Sequence, residues 1–295
     1  MIDRVARIAR GYDAFWMRET SGLHLGCFRI VFALYMLAYL AVLAPHVVVL
    51  FSNHGVYAPY LVPDLAPSPA VACLLFGAMP VLALSILVGY RTELSALLLL
   101  ALYLHHYFLQ LAVKQSSFER LIILYLAILA LAGSGQRLGF DGMRAPRPRL
   151  VWAERLIAAQ SVFLYTGSGL WKLLNPAWHG GALLQSTFQG MWATPLAFQV
   201  AALGLPATAW AAGSWSIVAL ELSLGPLLMW RKTRTLGVLL ATAFHVGNWL
   251  LLFIPEFLVC VTALVVFLDE RTLERAVNAL RRLAALRRPG PAGAS

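Results

Sequence analysis

Charged residues are scarce in this chain of 295 residues, and acidic residues are the scarcest of them. Only 12% of residues are charged, with 13 Asp and Glu against 23 Lys and Arg, while 60% are hydrophobic. A soluble domain usually carries about 25% charged residues. This composition excludes an ordinary soluble domain and indicates an integral membrane protein.

Cysteine is almost absent, and several catalytic motifs are missing. The three cysteines, Cys27, Cys73 and Cys260, all lie inside apolar runs, so they are interpreted as small hydrophobic residues rather than a disulfide or metal framework. There is no glycine-rich phosphate loop, no HExxH pattern and no nucleophile elbow, and we expect no metal site. The net charge of +10 could suggest nucleic acid, but the charges lie in short loops between apolar runs, so no nucleic-acid partner is expected.

Long apolar runs predict an all-α membrane protein with about eight transmembrane helices, since about 20 apolar residues cross a bilayer core. The predicted spans are Gly22 to Ala44, Pro69 to Val88, Leu94 to Val113, Leu121 to Gly133, Val151 to Trp171, Pro206 to Trp230, Thr235 to Phe253 and Phe257 to Leu268. The chain then divides into an amphipathic N-terminus (1–21), a transmembrane domain (22–268) and a basic tail (269–295). No cleaved signal is expected, because no apolar run precedes residue 22.

In this arrangement, loops that are rich in basic residues alternate with loops that are poor in them. Nineteen of the 23 lie on one side, whereas Lys114, Arg120 and Lys172 lie on the other and Arg29 falls inside the first span. By the positive-inside rule the N- and C-termini are predicted to be cytoplasmic. Lys172 is then on the non-cytoplasmic side.

Two segments are predicted to lie at a membrane interface. Residues 270–288 interleave arginines with leucines at helical spacing, which suits a basic amphipathic helix; a solvated basic tail is the alternative. The uncharged loop from Leu174 to Leu205 carries Trp178, Trp192 and other aromatics. It is predicted to be an interfacial or re-entrant segment after span five.

Lys172 is a candidate base. Tyr165 and Ser168 precede it by seven and four residues and therefore share its helix face. A partly desolvated lysine favours the neutral amine, which suits a base. The alternative is an interface lysine that extends from a helix end to the headgroups.

Glu221 and His245 are a second candidate pair. They lie at nearly equal distances from the short loop between spans six and seven, so antiparallel helices would let them meet. A carboxylate would then fix the imidazole tautomer, and Asn248 lies one turn beyond His245 on the same face. The alternative is a polar clamp that only joins two helices. For Arg29 within span one, a structural pair is weighed against an acid or ligand partner.

Several segments resemble one known family. The stretches "GYR" (89–91), "YTGSGLWKLLNPAWHGG" (165–181), "LELSLG" (220–225) and "FHVGNW" (244–249), with Phe28-Arg29, resemble the membrane domain of vitamin K-dependent gamma-glutamyl carboxylase. They also resemble its bacterial relatives, the horizontally transferred transmembrane domain (HTTM) proteins. The resemblance covers residues 22 to about 270.

The resemblance implies a chemistry and a set of site residues. In the carboxylase a hydroquinone is deprotonated and reacts with O2 to give an epoxide and a strong base, which permits carboxylation by CO2. Carried over, it implies catalytic roles for Lys172 as the base and for His245. The residues implied to bind the cofactor are Tyr165, Ser168, Trp178, Glu221, Asn248 and Arg29. The implied cofactors are a reduced quinone of the vitamin K or menaquinone type, O2 and, for carboxylation, CO2.

The chain also departs from the carboxylase. Ser116 stands where the animal enzyme has a histidine, one extra residue separates Lys172 from Trp178, and the large lumenal domain has no counterpart. We therefore expect a multi-pass enzyme of the bacterial cytoplasmic membrane that uses a lipid hydroquinone and O2 for oxygenation or carboxylase-like modification at the non-cytoplasmic face. Its expected partners are the bilayer, a lipid quinone and a secreted peptide substrate. A non-catalytic membrane module that aids maturation or binding of a secreted peptide is the alternative, and a transporter is the third.

Overall fold

The structure is a computed structural model that describes residues 11–56, 65–110, 117–145 and 147–286. Within these ranges every regular element is a helix, and extended pairing is confined to two isolated bridges, Glu19 with Leu150 and Ala193 with Leu252. The predicted all-α class is confirmed for the described residues. Lys114 and Ser116 lie outside them.

Eight long helices form the frame and are named α1 to α8 here. They are α1 (Leu23–Leu43), α2 (Pro69–Val88), α3 (Thr92–Gln110), α4 (Ser117–Leu131), α5 (Trp152–Leu174), α6 (Ala207–Met229), α7 (Arg234–Leu251) and α8 (Glu270–Leu286). Shorter helical turns join them: Ala44–His46, Val47–Phe51, Ser134–Gln136, Phe140–Arg144, Pro176–Trp178, Ala182–Thr187, Pro195–Ala202, Pro255–Leu258, Val259–Ala263 and Leu264–Phe267.

Four helical segments of the described chain are long and apolar enough to cross a membrane. They are Leu23–Phe51, Pro69–Val88, Thr92–Gln110 and Ala207–Met229. These spans support a multi-pass membrane protein. The remaining predicted spans correspond to α4, α5, α7 and the broken segment Pro255–Phe267, which are shorter, more polar or interrupted. The eight-span topology and the cytoplasmic termini therefore stay predictions.

The helices pack as two groups. Helices α1 to α4 and the turn Val259–Ala263 share one apolar core, in which the Tyr125 ring meets the stacked rings of Phe28 and Phe32 edge to face. Helices α5, α6 and α7 form a second, smaller core around Tyr165 and Leu224, closed by Leu264 and Phe267. The broken last segment thus touches both groups: its α-helical turn Val259–Ala263 packs in the first core and its 3-10 turn Leu264–Phe267 in the second.

Glycines set the separation between α5 and α6. A Cβ added to Gly169 of α5 would lie 2.9 Å from the Leu222 side chain and 3.0 Å from its backbone nitrogen. One added to Gly225 of α6 would lie 2.6 Å from the Thr166 hydroxyl oxygen. Small residues at such contacts let two helix backbones approach closely. This close approach places the next turn of α5 directly beside α6.

The loop after α5 folds back over the end of the second group. Two backbone hydrogen bonds join it to the end of α7: the Phe253 N–H donates to the Trp192 carbonyl at 2.8 Å, and the Thr194 N–H donates to the Leu251 carbonyl at 3.0 Å. Its side chains remain outward, with Met191 at 88% and Trp192 at 50% exposure. An uncharged, aromatic-rich surface in this position is consistent with the predicted interfacial segment.

Candidate active site

A buried ion pair joins α5 to α6. The Lys172 ammonium donates to both oxygens of Glu221, with Nζ 2.9 Å from Oε1 and 2.6 Å from Oε2. Its third donor goes to the Ser168 hydroxyl at 2.6 Å. The two charged side chains are only 13% and 5% exposed. All three N–H bonds of the ammonium are therefore used inside the protein.

Trp178 covers this pair from the loop after α5. The Lys172 nitrogen lies 5.1 Å from the centre of the Trp178 ring, within the range of a cation–π contact. The Pro176–Trp178 turn is held by the Asn175 side chain, which accepts from the Ala177 N–H. Trp178 Nε1 is buried and has no hydrogen-bond partner among the described residues. A donor beside the lysine is thus available to a ligand.

A second polar pair lies two helical turns before Lys172. The Tyr165 hydroxyl and His245 Nε2 are 2.8 Å apart and buried, which joins α5 to α7. Seven residues separate Tyr165 from Lys172, so this pair lies about 10 Å further along the axis of α5. The other ring nitrogen, His245 Nδ1, is buried without a hydrogen-bond partner among the described residues. Phe257 flanks the imidazole with ring centres 6.0 Å apart.

The expected contact between Glu221 and His245 is wrong. Among the described residues each binds α5 instead, Glu221 through Lys172 and His245 through Tyr165. The close approach at Gly169 and Gly225 turns the Glu221 face of α6 toward α5. A charged amine that satisfies both carboxylate oxygens is also a stronger partner than a neutral imidazole.

Asn248 lies on the same helix as His245 but takes no part in the Tyr165–His245 hydrogen bond. Its Nδ2 donates to the Phe244 carbonyl one turn earlier at 2.9 Å. Its side chain is half-buried, and no hydrogen bond links it to Lys172, Glu221 or His245 among the described residues. The structure therefore places Asn248 on the same helix as His245 without joining the two polar pairs.

Arg29 lies far from these residues and holds loops together. Its guanidinium is fully buried and donates to the backbone carbonyls of Ile86, Leu87, Ser134, Arg137 and Leu138. The Glu19–Leu150 bridge puts the starts of α1 and α5 at one end of the bundle. Arg29 is six residues into α1 and Lys172 is 20 into α5, a difference in depth of about 20 Å. These five hydrogen bonds are structural, and none of them reaches another candidate site residue. The cofactor-binding role implied for Arg29 stays a prediction.

Sequence reasoning named both members of the Lys172–Glu221 pair but missed the pairing. Counting residues from a short loop gives the relative depth of side chains on the two helices that it joins, as for α6 and α7. Because 32 residues separate α5 from α6, the same count cannot compare Lys172 with Glu221. The available signal was the pair of glycines, Gly169 and Gly225, each within four residues of one partner. No group of three or more metal-ligating side chains occurs in the described part of the chain.

The comparisons with known proteins agree with the pattern of motifs. The family model described as the HTTM domain matches residues 17–271. That range contains both polar pairs, Trp178 and all eight predicted spans. No match to the chain is found among curated proteins or among solved structures.

Proposed function

Because the chain belongs to the HTTM domain family, which is associated with vitamin K-dependent carboxylase-like membrane proteins, we propose that it is a membrane enzyme that oxygenates a lipid hydroquinone. The observation that carries the proposal is the solitary lysine, buried against Glu221 and Ser168 beneath Trp178. An ionisable group inside a membrane bundle is by default a hypothesis for a functional site.

The Lys172–Glu221 pair would supply a base by moving its shared proton from the amine to the carboxylate. Lys172 and Glu221 together carry no net charge, whether the shared proton lies on the amine or on the carboxylate. When the proton moves to Glu221, Lys172 becomes a free amine that can accept a proton from a hydroquinone hydroxyl.

The surrounding residues suit a hydroquinone. Its ring needs an aromatic or apolar face, and its two oxygens need polar partners at opposite edges. Trp178 offers a ring face and a buried N–H without a partner among the described residues, and His245 Nδ1 is a second such nitrogen. In the overall reaction hydroquinone and O2 give the quinone epoxide and water. The proposal extends to a coupling of this oxidation to the uptake of CO2 by a peptide substrate.

The proposal is tested with the purified full chain in lipid nanodiscs. Reduced menaquinone and O2 are supplied, and epoxide formation and O2 consumption are measured. We expect Lys172→Ala to lower the epoxidation rate by about 100-fold or more, the usual range for loss of a positioned base. Lys232→Ala is the control, since Lys232 is an exposed lysine in the loop at the other end of α6. A Lys172→Ala rate equal to that of Lys232→Ala would overturn the proposal.

A helix clamp is the rival explanation of the same contacts, as expected for a non-catalytic membrane module. The double variant Lys172→Met/Glu221→Leu separates the two, because it replaces the ion pair by apolar side chains and keeps the helices packed. An enzyme loses turnover in this variant although the chain stays folded. A clamp keeps its biological activity.

A further inference from the structure

Four arginines surround one cleft at the end of the bundle opposite Lys172. The cleft has a volume of about 690 Å³ and lies between the starts of α5 and α7 and the segment before α8. Arg18, Arg155, Arg231 and Arg234 line it. No ion pair joins any of the four to an acid among the described residues. Four guanidinium groups around one opening offer charged hydrogen-bond donors to an anion.

The arginines are held in place by the fold. The Arg155 guanidinium lies 3.8 Å from the centre of the Phe15 ring. Arg234 donates through Nε and Nη2 to the carbonyls of Leu228 and Met229 at the end of α6. The Arg18 carbonyl accepts from the Val151 N–H at 2.9 Å, which fixes its backbone beside α5. The cleft is therefore built by several segments rather than by one mobile side chain.

One donor in the cleft is ready for a ligand. Arg155 Nη1 is buried and has no hydrogen-bond partner among the described residues. Leaving a buried charged donor without a partner is costly, and an oxygen of a bound ligand would remove that cost. A phosphate oxygen satisfies a guanidinium with good geometry.

The acids of the cleft define how much negative charge it accepts. Glu154, Asp269 and Glu270 also line it. The Ser21 hydroxyl donates to Glu270, and Glu154 Oε1 is buried without a hydrogen-bond partner among the described residues. Four arginines against three carboxylates leave a formal charge of +1 with His24 neutral. That charge matches a phosphodiester, which carries one negative charge, better than a phosphomonoester or a polyanion.

The apolar wall of the cleft identifies the rest of the ligand. Ala158, Val266 and Phe267 line the same opening. Basic pockets at the ends of membrane helices are suited to lipid headgroups, because the headgroup meets the arginines while the glycerol and the first methylenes meet apolar side chains. We propose that this cleft binds the phosphodiester headgroup of an anionic phospholipid.

The test uses the purified full chain in a neutral detergent, with native mass spectrometry to count bound lipid. Phosphatidylglycerol is the probe, and diacylglycerol, which has the same tails without the phosphate, is the lipid control. We expect about one phosphatidylglycerol per chain, at least about tenfold weaker binding in Arg155→Ala, and no specific binding of diacylglycerol. Arg147→Ala is the matched protein control: this arginine is 62% exposed, pairs with Glu93 and lies outside the cleft.

Each other outcome overturns the proposal. Equal lipid binding by Arg155→Ala and Arg147→Ala would do so, as would equal binding of diacylglycerol and phosphatidylglycerol. Displacement of the lipid by millimolar inorganic phosphate would assign the cleft to a free phosphate ion instead. If Arg155→Ala does not fold, Arg231→Ala replaces it, since Arg231 is exposed; its expected effect is about fivefold, and an affinity equal to that of Arg147→Ala overturns the proposal.

Discussion

At the residue scale, Lys172 and Glu221 place two charges inside a hydrophobic bundle without placing a net charge there. The pair uses all three ammonium donors and both carboxylate oxygens. Removing one partner of such a buried pair leaves an uncompensated charge, whereas replacing both leaves none. Single and double variants therefore distinguish the contribution of the pair to stability from its contribution to activity.

We expect Glu221→Leu to lower the free energy of unfolding by about 3–5 kcal/mol, because Lys172 then stays buried without its carboxylate. The double variant Lys172→Met/Glu221→Leu should recover most of that loss. Thermal unfolding of the purified chains in detergent measures both. A double variant no more stable than Glu221→Leu would show that the pair contributes more than mutual neutralisation.

Arg29 joins the end of α2 to the loop after α4. Its donors reach five backbone carbonyls, two at the end of α2 and three in the loop after α4. Gly89 permits this approach: its φ is +72°, and a Cβ there would lie 3.1 Å from the Arg29 guanidinium. A lysine has three donors on a point charge and cannot reproduce the five-donor fork.

We therefore expect Arg29→Lys to destabilise the protein by about 2 kcal/mol or more, because at least two carbonyls lose their donor. Unfolding in detergent measures the change, with Arg147→Lys as the control at an exposed arginine. The control should change stability by less than about 0.5 kcal/mol. A stable Arg29→Lys chain would mean that the loops are held by other contacts.

At the element scale, the contact between α5 and α6 decides whether the candidate site forms. Gly169 lies directly against Leu222, and Lys172 and Glu221 meet one turn away. Gly167, two residues earlier, has no atom within 4 Å of an added Cβ. The two glycines of one motif thus differ sharply in their surroundings.

We expect Gly169→Ala to cost about 1–3 kcal/mol by overpacking and to lower epoxidation as well, since separating the helices weakens the Lys172–Glu221 bond. Gly167→Ala should be neutral or slightly stabilising, because it adds helix propensity in open space. Unfolding and turnover are measured on both variants. Equal effects at the two positions would contradict the packing argument.

The helices were predictable from sequence, but their partners were not. The second predicted span, Pro69 to Val88, matches α2 residue for residue, because Pro69 begins the helix and Gly89 ends it. The last predicted span is instead broken into 3-10 and α turns between Pro255 and Phe267. Hydrophobicity predicts which segments form apolar helices, but it does not predict which face of one helix meets another. For this reason the sequence predicts His245, and not Lys172, as the partner of Glu221.

At the scale of the whole molecule, the two polar regions lie at opposite ends. The bridge between Glu19 and Leu150 places the starts of α1 and α5 together, and the arginine cleft lies there. Lys172 is 20 residues beyond the start of α5, about 30 Å away along the helix. That distance equals the hydrocarbon thickness of a bilayer, so an α5 that crosses the bilayer would hold the arginine cleft at one surface and the Lys172–Glu221 pair at the other.

This separation makes the predicted topology testable with an impermeant maleimide. In a background without Cys27, Cys73 and Cys260, we expect Gln189→Cys, in the exposed loop after α5, to be labelled in intact spheroplasts. Lys232→Cys, in the exposed loop between α6 and α7, should be labelled only after lysis, because its neighbours Arg231 and Arg234 favour the cytoplasmic side. Labelling of both from the same side would mean that α6 does not cross the membrane, and Lys172 would then face the same compartment as the arginine cleft.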